Sequence, residues 1–218
     1  MASPKAATQK WASKPWAFTE NRYKPTDSII VPSVSSERRE YVPIGFLGPD
    51  TVISNLAFAI YNAEPWLFAL LTSKIHMVWL GAVGGKMKTD YRYSNTIVYN
   101  NFPVPHLTGP MKEKLTRTAL RILDVREYFC ELTLAELYDP DTMPHMLHEA
   151  HADNDALVDS IYRKSGFASD EERLAALFKL YEKLASEEAK ALEAERAAKK
   201  AAKTTTRRRR KTKKEADK

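Results

Sequence analysis

A chain of 218 residues, 44% hydrophobic and with four tryptophans, is long enough to bury a core in one or two domains. Its net charge of +6 is unevenly placed: residues 1–130 hold 16 Lys/Arg against 10 Asp/Glu, residues 131–198 hold 7 against 16, and residues 199–218 hold 11 against 2. The imbalance points to a polyanionic partner, and a lone cysteine, Cys130, excludes an intrachain disulfide and paired-cysteine zinc spacing while fitting a cytoplasmic location.

Residues 1–16 lack the continuous apolar core of a signal peptide, and 1–15 read as a flexible N-terminus. Residues 28–34 and 40–47 read as short strands; each contains a proline, which places them at sheet edges or bulges. Residues 51–54 and 56–61 read as a further strand pair or one bent strand. Pro65, with Asn62 as a possible cap, opens a helix that runs to about Val83 and ends at Gly84-Gly85. Trp66–Val83 is the most apolar window, but Lys74 and His76 at its middle, beside Thr72 and Ser73, argue for a buried helix over a membrane span. Trp66, Phe68, Met77 and Trp79 then read as core, not as a base-stacking platform.

Between Ala82 and Pro105, Lys86, Lys88, Asp90 and Arg92 alternate with Met87, Thr89, Tyr91 and Tyr93. A period of two puts those charges on one face of an extended segment. Residues 91–99 continue as strand until Phe102-Pro103 stops it. From Pro110 the character turns helical. Residues 111–130 space Leu115, Ala119, Ile122, Leu123 and Arg126 as one helix face. Thr133 and Glu136 match a capping box, residues 146–164 form another helix, and Ser169-Asp-Glu-Glu172 caps a last one from 169 to 196. Its apolar stripe ends near Leu184, and residues 199–218 read as a disordered basic tail. The expected fold is therefore α+β: a small mixed or antiparallel sheet packed on a long helix, then an all-α C-terminal segment (109–198).

Three features have bland readings beside their functional ones. His145, His148, His151 and Glu149 carry metal-ligating groups, but His151 lies off the face that His145 and His148 share, so a surface helix is the expectation. Cys130 has no basic neighbour in sequence to activate it. Arg207–Arg210 and Lys211 form either a nucleic-acid tail or a solvated terminus.

Several phrases, taken together, resemble the C-terminal part of the MmeI-like DNA methyltransferases, large chains that combine restriction with adenine-specific methylation. They are 32–46 (Pro-Ser-Val-Ser-Ser-Glu-Arg-Arg-Glu-Tyr-Val-Pro-Ile-Gly-Phe), 71–79, 91–94, 98–103 (Val-Tyr-Asn-Asn-Phe-Pro) and 134–144, with Asp155–Asp159 and Asp170–Leu174 beyond. The resemblance spans about residues 16–185 and implies a target recognition domain (16–108) followed by a C-terminal helical segment. It implies base reading by Lys88, Asp90 and Arg92, with Leu56 on the facing segment. DNA-backbone contact is expected from Lys86, Arg38, Arg39, Tyr93 and Ser94. The chemistry agrees: Lys and Arg donate to guanine O6 and N7, and Asp accepts from cytosine N4, worth roughly 1–3 kcal/mol of discrimination per good pair. The alternative is a surface ion pair between Lys88 and Asp90, worth under about 1 kcal/mol.

A class I methyltransferase also needs a Gly-rich loop for S-adenosylmethionine and an Asn/Asp-Pro-Pro-aromatic tetrapeptide. The seven glycines fall outside such a loop, and Asn100-Asn-Phe-Pro103 lacks the paired prolines. No catalytic residue, metal or cofactor is therefore expected in this chain; S-adenosylmethionine belongs to a methyltransferase catalytic chain. The expected partners are double-stranded DNA and that chain, without a membrane. A non-specific nucleic-acid binder driven by the tail, or the remnant of an interrupted gene, is the competing reading.

Overall fold

The computed structural model describes residues 4–17 and 21–216. A short helix α1 (Ala6–Lys10) forms within the segment expected to be flexible; Ala, Gln and Lys are favourable helix residues. Two three-stranded antiparallel sheets follow. In the first, β1 (Ser28–Pro32) lies between β3 (Gly45–Leu47) and β4 (Ala57–Tyr61), with Ile29 opposite Phe46 and Ile60. In the second, β6 (Asp90–Arg92) lies between β2 (Val34–Ser35) and β5 (Gly85–Met87). Pro32 ends β1 because proline cannot donate to a ladder, and Ser33 then joins the sheets. Its N–H donates to Leu56 O at 3.2 Å while its own carbonyl accepts from Tyr93 N at 2.9 Å.

The long helix expected from Pro65 to Val83 is two helices, α2 (Pro65–Leu71) and α3 (Lys74–Val83), bent by 57°. Ser73 explains the break: it takes an extended N-cap conformation for α3, and its hydroxyl donates back to Leu70 O at 2.6 Å. Glu64, not Asn62, occupies the N-cap of α2; Asn62 instead adopts a left-handed φ of 55°. No single described helix is long and apolar enough to cross a membrane, and Phe68, Ala69, Leu70 and Ile75 of the bent pair are fully buried in protein.

Residues 95–99, expected as strand, form a π-turn (Asn95–Tyr99). Ser94 caps it by accepting from Ile97 N, and Val98 is inserted into the core. Its exposed Thr96 and Ile97 alternate in neither a strand's nor an ordinary helix's manner, so periodicity misreads it. The helices α4 (Gly109–Tyr128), α5 (Leu134–Leu137), α6 (His145–Tyr162) and α7 (Asp170–Ala216) complete the chain. The capping box at Thr133 and Glu136 forms as expected. At α7, Ser169 caps Glu172 N, but the Glu172 carboxylate reaches back to Ala168 N. α7 is traced to Ala216, and the residues 199–218 expected as a basic tail follow its apolar part.

α2 packs on α4, α4 on α6, and α3 on α7, so the helical segment and the sheets share one core. Trp79 sits at the join, packed on Phe178 and Tyr181 of α7 and donating from Nε1 to Val98 O at 3.0 Å.

A candidate nucleic-acid interface on the β5–β6 hairpin

α3 ends at Gly84, where a side chain would meet Leu80 O at 2.4 Å, and the chain turns directly into β5. Met87 pairs with Asp90, so Lys88 and Thr89 are the two turn residues of a hairpin. Lys88 has φ +60° while Thr89 does not share the positive sign, the pattern of a II′ turn whose first position favours glycine. A lysine held there carries strain of about 1 kcal/mol, and strain of this kind collects at functional sites.

The hairpin corrects the expectation that Lys86, Lys88, Asp90 and Arg92 share one face. Opposed residues in an antiparallel pair point the same way, so Arg92 goes with Gly85, Asp90 with Met87, and Lys86 with Tyr91. Asp90 and Arg92 therefore occupy one face, with Lys88 at the tip, while Lys86 lies on the other with its Nζ 3.6 Å from the Tyr91 ring centroid. The reversal of direction at Lys88 defeats a period of two. The Lys88–Asp90 pair does not form among the described residues; Asp90 Oδ1 accepts from Glu37 N at 3.4 Å. Sequence reasoning did not single out Glu37 or the exposed Met87, and only the hairpin register reveals them.

Leu56 is 74% exposed at the turn before β4. Its carbonyl accepts from Ser33 N at 3.2 Å and from Ser33 Oγ at 2.7 Å. Because Ser33 also holds Tyr93 N, Leu56 is tied through Ser33 to the strand that carries Asp90 and Arg92. Asp90 and Arg92 thus share one face of β6, Lys88 stands at the hairpin tip, and Leu56 is linked to that strand through backbone and Ser33 bonds.

The backbone-contact set fares differently. Tyr93 is buried, its hydroxyl 3.0 Å from His76 Nε2, and burial raises its pKa; it presents nothing to a phosphate. The hydroxyl of Ser94 is taken by its cap and by Thr96. Arg38 pairs with Asp141 at 2.6 Å, and Arg39 Nη2 donates to Ala135 O at 3.4 Å, so both reach toward the α5 region. Of that set only Lys86 sits on the hairpin, stacked against Tyr91.

Where α4, α5 and α6 meet the edge of the first sheet lies a polar chain that the sequence did not announce. Arg126 donates from Nη1 to Ile44 O at 2.7 Å and from Nε to Tyr138 Oη at 2.8 Å. Tyr138 Oη lies 2.7 Å from His151 Nε2, and Tyr41 stacks on the His151 ring at 4.1 Å. Tyr41 donates to Asp155 Oδ2 at 2.7 Å, and Asp155 Oδ1 accepts from Lys74 N at 2.7 Å. Burial holds His151 well below the usual histidine range, at about 3, and lifts Asp155 to about 6 despite its two hydrogen bonds. His151 is thus a core residue, whereas His145 faces Glu149 and His148 faces Glu40 on the surface. Cys130 is exposed beside Glu131.

These features define an α+β presenting module: two small antiparallel sheets on a helical base, with a charged hairpin displayed at the end of α3. Models of the MmeI target recognition domain and the MmeI C-terminal domain match residues 1–106 and 109–188. The chain belongs to the MmeI family of restriction-modification enzymes, corresponding to its C-terminal part. It is 49% identical over 177 residues to DNA methyltransferase A of Bacillus subtilis (strain 168), covering 81% of this chain and 20% of that protein. It also superposes on the Type IIL restriction-modification enzyme MmeI, solved in complex with DNA, with a TM-score of 0.79 and 38% identity over 84% of this chain and 25% of that one. The chain therefore spans about a fifth to a quarter of the length of these relatives.

Proposed function

We propose that this chain reads the DNA target site of a restriction-modification system, with Lys88, Asp90, Arg92 and Leu56 at the base edges. The observation that carries the reading is the hairpin: a donor, an acceptor and a forked donor are displayed at its tip and on one face, in a chain whose matching domain is named for target recognition. A two-stranded ribbon fits the major groove of B-DNA, where each base pair shows a distinct donor and acceptor pattern. Lys86 is left as the phosphate-positioning candidate.

The methyl transfer we assign to a catalytic polypeptide that binds S-adenosylmethionine and acts on adenine in the cytoplasm. The residues here do not fit that cofactor. None of the seven glycines follows a strand and opens a helix: Gly45 and Gly85 lie in strands, Gly81 in α3, Gly84 at its end, Gly109 in α4, Gly166 in the turn before α7 and Gly48 in the loop toward β4.

The test is a charge-neutral swap, Lys88→Glu with Asp90→Arg, assembled with the catalytic polypeptide and scored by mapping methylated sites. Base contacts set preference and phosphate contacts set overall affinity and salt slope. The swap should change the preferred base at one position and leave non-specific affinity nearly unaltered, while Arg92→Ser relaxes a different position. An unchanged site preference in the double variant would leave Lys88 and Asp90 as ordinary surface residues.

A further inference from the structure

Each of the two small sheets has two edges, and an uncovered edge offers its free N–H and C=O groups to any extended chain. Three of the four edges carry a feature that discourages such pairing. β2 is two residues long, β5 is three residues with Lys86 at its centre, and β3 is three residues flanked by Pro43 and Pro49. β4 is the exception. Its five residues, Ala-Phe-Ala-Ile-Tyr, hold no charge and no proline, run in unbroken register with β1, and are all half-buried.

The register shows which groups β4 leaves open. Opposed pairs in an antiparallel ladder alternate between bonded and non-bonded. Ser33 N donates to Leu56 O, so the next pair, Pro32 with Ala57, is non-bonded, which suits a proline with no N–H to give. Val31–Phe58 and Ile29–Ile60 are then the bonded pairs, and Ala57, Ala59 and Tyr61 turn their N–H and C=O groups away from β1. Ala57 N is already used, donating to Ser54 O at 3.2 Å. The N–H and C=O of Ala59 and of Tyr61 meet no partner among the described residues.

A cavity of about 1180 Å³ is lined by all five residues of β4, by Asn95 and Tyr99 of the π-turn and by exposed Lys24. Pockets for drug-sized ligands hold roughly 300–1,000 Å³, so this one suits a longer occupant. Phe58, its ring 6.1 Å from that of Tyr93, gives the cavity an apolar wall, and no carboxylate is among its described lining residues. A peptide strand answers each feature: main-chain amides continue the ladder, apolar side chains meet Phe58, and a carboxylate meets Lys24. A nucleic-acid strand has no repeating amide with which to extend a sheet. The source of such a strand is at hand, because three quarters of the solved relative and four fifths of the Bacillus subtilis one lie outside the parts this chain matches. Leu56, a proposed base reader, directly precedes β4, so a strand seated here lies beside the DNA site.

We propose that the open edge of β4 receives an extended apolar strand from the catalytic polypeptide, joining recognition to methylation by main-chain pairing. This rests on the assignment of methyl transfer to a polypeptide other than this chain.

The test is hydrogen–deuterium exchange at single-residue resolution, without DNA, on two proteins. One is the 218-residue chain alone; the other is intact DNA methyltransferase A of Bacillus subtilis carrying this chain's residues in place of its matching stretch. In the chain alone, Phe58 and Ile60 amides should exchange slowly and those of Ala59 and Tyr61 fast. In the chimera, Ala59 and Tyr61 should slow by about tenfold or more, as amides entering a ladder do. If the chimera does not fold, the two aligned amides of the unaltered relative are read instead. Fast exchange there overturns the proposal. So does protection of Ala59 and Tyr61 in the chain alone that rises with its concentration, the sign of a second copy on the edge, or that appears on adding a 30-base-pair duplex. Methyl transfer from S-adenosylmethionine by the chain alone would strike the division of labour beneath the proposal, while slow exchange in the chimera would still place a strand on β4.

Discussion

Arg126→Met removes a side chain that ties α4 to Tyr138 at the end of α5 and to Ile44 beside the first sheet. The guanidinium is buried and donates to Ile44 O at 2.7 Å and to Tyr138 Oη at 2.8 Å from Nε, with a second bond from Nη2. It also lies over the Phe68 and Tyr138 rings, 5.1 and 4.8 Å from their centroids. Methionine fills similar volume but strands the Ile44 carbonyl, a loss of about 1–3 kcal/mol for a buried acceptor. The ring contacts add about 1 kcal/mol. Relief from burying a cation offsets part of this. The net expectation is destabilisation by ~2–4 kcal/mol, read as a lower urea midpoint by tryptophan fluorescence. Arg126→Lys should recover at most half of it, because one ammonium cannot serve two acceptors that lie in different directions. A methionine variant within 1 kcal/mol of the parent, or more stable, would show that desolvation outweighs these bonds and that apolar packing alone joins the two parts.

Three further outcomes follow from local geometry. Lys88→Gly relieves the positive φ at the hairpin tip and should raise stability by about 0.5–1 kcal/mol by denaturant titration while removing discrimination at one base position; a destabilised glycine variant would refute the turn assignment. Buried His76 and His151, both held near 3 chiefly by burial, take up protons in the unfolded chain below about 6.5 but not in the folded one, so stability should fall as pH drops from 6.5 toward 3. Asp155, lifted to about 6 by burial, acts with the opposite sign: its contribution is present below 3.8 and lost as pH rises through 6, so Asp155→Asn should steepen the acid loss between pH 6.5 and 4, and an unaltered slope of urea midpoint against pH would rule this out.

The sequence was most legible where one local rule governs the backbone. Thr133 and Glu136 form their capping box, and Leu115, Ala119, Ile122 and Arg126 share the buried face of α4 that their spacing requires. It was least legible where two rules meet. Leu71-Thr-Ser-Lys74 satisfies an apolar helix pattern on both sides, yet Ser73 is a better N-cap than helix-interior residue, and the chain bends there. Residues 85–92 alternate perfectly as a single strand would, but without an Asn-Gly or Asp-Gly signal the turn at Lys88-Thr89 leaves no mark in the pattern. Of the site, residue types were readable and their faces were not. His151 and Asp155 lay hidden because a histidine on a polar helix carries no sign of burial until Tyr41 and Tyr138 are seen around it.

Under the proposed reading, the division of labour in the hairpin lets such a module change what it reads without losing its fold. Tyr91 and Tyr93 place the strand: Tyr91 pairs with Ser35 and packs against the core, and Tyr93 reaches His76 through its hydroxyl and Ser33 through its N–H. Lys88, Asp90, Arg92 and Leu56 point away from that support, and none is part of the buried core. Substitution at these four positions alters donors and acceptors while the backbone stays pinned by Ser33, Ser35 and Tyr93. Substitution at the pinning residues moves the whole hairpin and should weaken every site alike. Along β6, the proposed readers Asp90 and Arg92 alternate with the supporting Tyr91 and Tyr93, and the strand's period of two keeps the two roles on opposite faces.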